Sequence, residues 1–236
     1  MRPRGESVDV WVRRPVLVGA VLAVVLTAAL TVLVGVRAIG SDPSRCDRFA
    51  ADSRARAAVV TGSGPRVVVV GDSWSVGLGL DESARSWPSR LPGAVHVAGF
   101  SGSGFGARAS SCGAVSFADR APAALRGGAD LVVVEGGLND YDQPDAAVRS
   151  GFRQLMRQLR GYDVVVVGPA AAPSRARAVP RVDALLGRLA GRYDVPYLPT
   201  VGLELTYLPD RLHLTQDGHD AFGDYVADRL AALGLV

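Results

Sequence analysis

"RVVVVGDSWSVG", residues 66–77, runs four valines into Gly71-Asp72-Ser73. A continuous apolar run stopped by small polar residues reads as a strand covered on both faces that turns into a helix. Asp and Ser are both favoured helix N-caps, so the turn by itself leaves Ser73 open as a cap or as a nucleophile. The chain beyond it repeats the strand pattern in "AVHVA" (94–98), "LVVVE" (131–135), "DVVVVG" (163–168) and "VPYL" (195–198). Apolar stripes at helical spacing lie between and after these runs. They are Val148, Phe152, Leu155, Met156 and Leu159; then Val182, Leu185, Leu186, Leu189 and Tyr193; then Phe222, Val226, Leu230 and Leu233. Such stripes are core-facing. Strand–helix alternation predicts an α/β fold on a parallel sheet of five strands. Ligands of such sheets sit beyond the carboxyl ends of the strands.

Charge and composition exclude several functions. The 236 residues carry a formal net charge of +3. Residues 1–40 hold five arginines against Glu6 and Asp9, and residues 41–236 hold 21 arginines against 21 acids. The excess is therefore confined to the N-terminal tail, and the neutral body has no electrostatic footprint for nucleic acid. The chain has no lysine. That removes the phosphate-binding P-loop lysine and a Schiff-base lysine. The three histidines, His96, His213 and His219, and the two cysteines have no metal-ligand spacing.

Residues 15–36, "PVLVGAVLAVVLTAALTVLVGV", carry no charge and are long enough, as a helix of about 33 Å, to span a hydrocarbon core of about 30 Å. The run exceeds the apolar core of an ordinary secretory signal. It is therefore expected to be an uncleaved signal-anchor, with residues 1–14 as a cytoplasmic tail; cleavage after Ala38 is the alternative. Either way residues 41–236 lie outside the cytoplasm. An oxidising compartment allows Cys46 and Cys112 to pair, the alternative being two buried free thiols. Residues 37–64 mix Arg, Asp, Ser, Gly and Ala without a sustained period and read as a stalk or linker ahead of a folded domain over 65–236.

The residues that follow each strand carry the candidate chemistry. Gly71-Asp72-Ser73 follows the first, "GFSGSGFG" (99–106) the second, "GGLNDY" (136–141) the third, and "LPDRLHLTQDGHDAFG" (208–223) the fifth. Each is weak alone. Gly102-x-Gly104-x-x-Ala107 imitates a loose dinucleotide fingerprint, but after the wrong strand. The nucleophile elbow G-x-S-x-G is absent from the sequence.

Taken together, Gly-Asp-Ser, the second-block glycine, Gly137-x-Asn139-Asp140 and Asp210-x-x-His213 resemble, in order and spacing, the four blocks of the SGNH hydrolases, also called GDSL esterases and lipases. The resemblance covers residues 66–236. It departs at Trp74, where the family name has Leu; Trp74 either shapes the substrate pocket or packs beneath it. From the spacing of its residues the chain is expected to use no cofactor and no metal; the resemblance implies a flavodoxin-like three-layer α/β/α sandwich. It implies Ser73 as nucleophile, His213 as base and Asp210 as the acid that orients it, with an oxyanion held by the N–H of Ser73, the N–H of Gly102 and the amide of Asn139. These roles make chemical sense. A serine hydroxyl needs an adjacent base, and imidazole titrates near neutrality. Asp72 and Asp140 read as braces for the turns, His96 as structural and His219 as solvated. The expected activity is hydrolysis of a carboxylic ester on a glycan, lipid or small alcohol. The rivals are transfer of an acetyl group to a cell-envelope sugar by the same residues, and a non-catalytic glycan-binding module.

Overall fold

The computed structural model describes residues 43–235, together with Val25. The expected cytoplasmic tail and membrane span lie outside the described residues, Val25 apart. Among the described residues no helix is long and apolar enough to cross a membrane.

Five strands form one sheet: β1 (Arg66–Gly71), β2 (Ala94–Gly99), β3 (Leu131–Glu135), β4 (Val164–Val167) and β5 (Tyr197–Leu198). All neighbours pair in parallel, in the order β2-β1-β3-β4-β5. This is the flavodoxin-like order, whose topological switch point lies between β1 and β3. The loops after those two strands therefore open into the crevice where such folds bind ligands.

Alternation within the valine runs divides the core into two layers. Val67 and Val69 of β1 join Val133, Val165 and Val167 on one face, and Val68 and Val70 join Val132, Val134 and Val166 on the other. Helix α6 (Gln216–Ala232) covers the first face with Phe222, Val226 and Leu230. Helices α3 (Phe117–Ala124), α4 (Asp145–Gln158) and α5 (Val179–Arg192) cover the second. Full burial of each such side chain stabilises by roughly 1.5–3 kcal/mol, which explains why nearly continuous valine runs suit a sheet wrapped on both sides. β2 lies at the sheet edge, and its buried and half-buried residues alternate accordingly.

The helical stripes predicted from the sequence are buried, apart from Tyr193 and Leu233. These two are the C-caps of α5 and α6, whereas Leu159, the C-cap of α4, is buried.

The segment expected as a linker contains a helix, α1 (Pro43–Ala57). Its inward face carries Cys46, Phe49, Ser53 and Arg56. Cys46 is joined to Cys112. The Phe49 ring meets Phe100 edge-on at 6.3 Å, and Ser53 Oγ donates to the carbonyl of Gly99 at 2.6 Å. Arg56 is fully buried, donating to Ser86 Oγ at 3.2 Å and to the Val59 carbonyl at 3.0 Å. Helix α1 is thus fastened at the carboxyl end of β2. The pairing of the cysteines agrees with the oxidised alternative read from the sequence. Closing a loop of 66 residues constrains the unfolded chain by on the order of 4 kcal/mol in the chain-entropy model. Chemical denaturation of the full chain with and without a thiol reductant is expected to show a loss of about 2–4 kcal/mol on reduction. An unchanged midpoint would mean that the native packing of α1 gains nothing from the bond.

Candidate active site

Helix α2 (Ser73–Val76) starts directly after β1. Its N-cap is Asp72, whose Oδ1 accepts the N–H of Trp74 at 2.9 Å. Asp72 therefore does the capping, and the Ser73 hydroxyl is left for other work. Ser73 Oγ lies 3.1 Å from His213 Nε2, and His213 Nδ1 lies 2.6 Å from Asp210 Oδ2.

The base and its acid share one tight hairpin. Leu208 N–H donates to the His213 carbonyl at 2.8 Å, and Arg211, with φ 59°, turns the chain between them. Asp210 Oδ1 accepts the N–H groups of Leu212 at 2.9 Å and His213 at 3.0 Å. Such side-chain-to-backbone bonds close an Asx-type turn. One carboxylate thus shapes the loop with one oxygen and orients the imidazole with the other. Burial pushes the Asp210 carboxyl up, but hydrogen bonds from the His213 side chain and from the two N–H groups outweigh it and hold the acid below its ordinary range.

The second and third loops approach from the other side. Gly102 has φ 81°, a left-handed conformation natural to glycine. A Cβ there would come into ordinary contact with Ser110 Oγ at 3.8 Å and the Phe49 ring at 3.9 Å. Among the described residues neither the N–H of Ser73 nor that of Gly102 has an acceptor. The Asn139 amide differs: its Nδ2 donates to Asp72 Oδ2 at 3.1 Å and to the Ser103 carbonyl at 2.9 Å. The amide expected to receive an oxyanion is thus tied to the turn after β1 and to the loop after β2.

A layer of buried acids supports these loops. Asp140 accepts the N–H groups of Phe105 at 2.9 Å and Gly106 at 2.7 Å, the bracing role expected of it. Glu135 accepts Ser75 Oγ at 2.7 Å. Burial pushes Glu135 up to about 7 and Asp140 up to about 6, against the hydrogen bonds each accepts. Asp72 is held well above the carboxylate range, first by burial and then by Glu135. Arg120, which had no signature in the sequence, is the positive charge that partly offsets burial at Asp72. Its guanidinium donates to the carbonyl of Gly71 at 2.8 Å, to Ser103 Oγ at 2.9 Å and to the carbonyl of Ala98, joining the ends of β1 and β2. No group of three or more His, Cys, Asp or Glu residues is placed to hold a metal among the described residues.

Residues 69–221 match the GDSL-like lipase/acylhydrolase family, well over half of the chain and all four sequence blocks. The chain belongs to that family. Solved structures agree on the fold. Est24, a carbohydrate acetylesterase from Sinorhizobium meliloti, superposes with a TM-score of 0.59 at 21% identity, covering 72% of this chain and 100% of that one. The aryl esterase of M. smegmatis gives 0.57 at 20%, covering 72% and 100%. The psychrotrophic esterase EstA from Pseudoalteromonas sp. gives 0.60 at 15%, covering 72% and 98%. No curated protein matches the chain.

Within this GDSL-type frame, the alternatives left open for Trp74 are decided and the reading of His219 needs correction. Trp74 is not part of a substrate pocket. It is 1% exposed, stacks edge-on with Phe222 at 5.3 Å, and donates from Nε1 to the Leu212 carbonyl at 3.1 Å. A large ring at this position fills the space under the His213 hairpin and anchors it. His219 is not solvated. It is buried at 1% exposure, and its Nδ1 accepts the N–H of Trp87 at 3.2 Å. His96, by contrast, lies within β2 as expected, beside Arg66.

Burial, assisted by His213 and opposed by Asp220, pushes the His219 imidazole down to about 4 from 6.5. Between those values the unfolded chain binds the proton and the folded chain does not, so His219 withdraws stability as pH falls through this window. At pH 5 the withdrawal is about 2 kcal/mol. His219→Gln, which can still accept from Trp87, is expected to melt below the parent at pH 7.5 and to close part of that gap at pH 5. A gap of constant size at the two pH values would rule out a neutral buried imidazole.

Proposed function

We propose that this chain is a serine esterase that hydrolyses carboxylic esters through an acyl-enzyme on Ser73, on the outer side of the membrane. The observation that carries the reading is the hydrogen-bonded series Ser73 Oγ, His213 Nε2, His213 Nδ1 and Asp210 Oδ2, at 3.1 and 2.6 Å. Ser73 Oγ attacks the ester carbonyl as His213 Nε2 takes its proton. Asp210 holds the Nδ1–H tautomer and stabilises the imidazolium. The N–H groups of Ser73 and Gly102 receive the oxyanion, and Asn139 Nδ2 joins them by releasing the hydrogen it shares with Asp72. The intermediate collapses, His213 protonates the departing alcohol, and the acyl group stays on Ser73. Water, deprotonated by His213, then releases the carboxylic acid and restores the serine.

The favoured acyl group is short. An acetylesterase is among the similar structures, and the walls beside Gly102 are polar rather than a long apolar trough. The Cys46–Cys112 bond supports an oxidising compartment, outside the cytoplasm. The test is labelling of the purified full chain by a fluorophosphonate serine probe, beside Ser73→Ala and His213→Ala. Wild type is expected to label and both variants to fail. Equal labelling of wild type and Ser73→Ala overturns the assignment. Location is read from protease added to intact cells, which is expected to degrade the domain; full protection would place it inside.

A further inference from the structure

Beside Gly102 and Asn139 lies a cavity of about 210 Å³ with charged residues in its lining. Arg45 reaches it from α1 and Arg175 from the segment after β4; Asp142 is its single acid. Asp142 already accepts the Gln143 amide at 2.9 Å. Arg45 Nη2 donates to Ser111 Oγ at 3.0 Å.

Arg175 is the more telling of the two. Its guanidinium lies over the Tyr141 ring at 3.8 Å from the centroid. Stacking uses the face of the group and leaves its in-plane N–H fork to bind something else. Its Nε is buried and has no hydrogen-bond partner, and Arg175 enters no ion pair among the described residues. A buried, unanswered donor on a cation is costly and calls for a reason. The segment is also coupled to the base: the Ser174 N–H donates to the carbonyl of Arg211, in the hairpin of Asp210 and His213, at 3.0 Å. A planar cation is thus held at a fixed place next to the two loops that supply Gly102 and Asn139.

We infer that this cavity receives an anionic oxygen group of the substrate, a carboxylate or phosphate carried close to the ester bond, and that Arg175 determines this specificity with Arg45 beside it. The inference rests on the esterase reading and deepens it. A guanidinium fork binds such groups bidentately, and a charge-assisted bond of this kind is worth about 10–100-fold in kcat/KM.

The test uses the full chain and two ester pairs. 4-Acetoxybenzoate and its neutral methyl ester place the charge on the alcohol half. Mono-4-nitrophenyl succinate and its methyl ester place it on the acyl half. The wild type is expected to prefer the charged member of one pair, and that pair identifies the half that carries the anion. Arg175→Gln is expected to cut this charged-to-neutral preference about 10–100-fold, mainly through KM. Arg175→Lys, which keeps the charge and loses the fork, is expected to recover only part of it. Absence of a preference in the wild type, or an equal slowing of charged and neutral esters by Arg175→Gln, overturns the inference while the esterase reading stands. Failure to hydrolyse any of the four esters, with no fluorophosphonate labelling, overturns that reading and the inference with it.

Discussion

The Ser73→Ala chain is expected to fold as the parent does and to hydrolyse 4-nitrophenyl acetate about 10⁵–10⁶-fold more slowly. Removing Oγ removes the one atom that can carry the acyl group, and the hydroxyl does not cap α2, because Asp72 does. A lost cap would lower the melting temperature; this variant is expected to keep it. Ser73 and His213 act as a unit, so adding His213→Ala to Ser73→Ala is expected to cost less than about another tenfold. The measurement is kcat on protein checked by its thermal transition. A variant that keeps the parental rate would place the nucleophile elsewhere.

Asp210→Asn is expected to lower kcat by about 10²–10⁴-fold with little change in KM. The amide retains an oxygen for the N–H groups of Leu212 and His213, so the hairpin survives. What it loses is the anion that fixes the Nδ1–H tautomer and offsets the imidazolium charge. The range extends below that of a fully buried acid because the Asp210 side chain is 48% exposed, and water screens its charge. The acid lies below the ordinary carboxylate range in the folded chain. Its orienting effect is therefore present throughout the neutral range and is lost only as pH falls through that lowered value. Rates from pH 5 to pH 9 check this: wild type and Asp210→Asn are expected to stay far apart across the window. Convergence at pH 5 would show that Asp210 had already been neutralised.

What was legible in the sequence was whatever depends on apolar periodicity or on a polar residue at a strand end. Four valines in β1 and four in β4 can only be accommodated between two layers, so the sheet and its site-bearing end could be read directly. Asn139, Asp210 and His213 each follow a strand or precede the last helix, and the resemblance of the ordered blocks to the GDSL family gave them their roles. Helix α1 was missed for a physical reason: its inward face carries a cysteine, a serine and an arginine, and those residues give no apolar period. Arg56 and Arg120 look like surface charges in a sequence; only the fold supplies the carbonyls that make their burial tolerable. Trp74 stayed open between two placements and His219 was misplaced because neither the packing of a ring nor the burial of an imidazole has a local signature. The tie between Asn139 and Asp72 links loops 67 residues apart and has none either.

Helix α1 also determines where this protein can be cut. The family match begins at residue 69, which invites a fragment trimmed to the first strand. That fragment would keep Ser73, Asn139, Asp210 and His213 in sequence. It would lack Arg45 and Phe49, the cavity would open to bulk water on that side, and Cys112 would become a lone thiol free to link one molecule to another. Substrate preferences measured on such a trimmed enzyme would belong to the fragment. A fragment begun ahead of Pro43 keeps both halves of the disulfide and the pocket they hold closed.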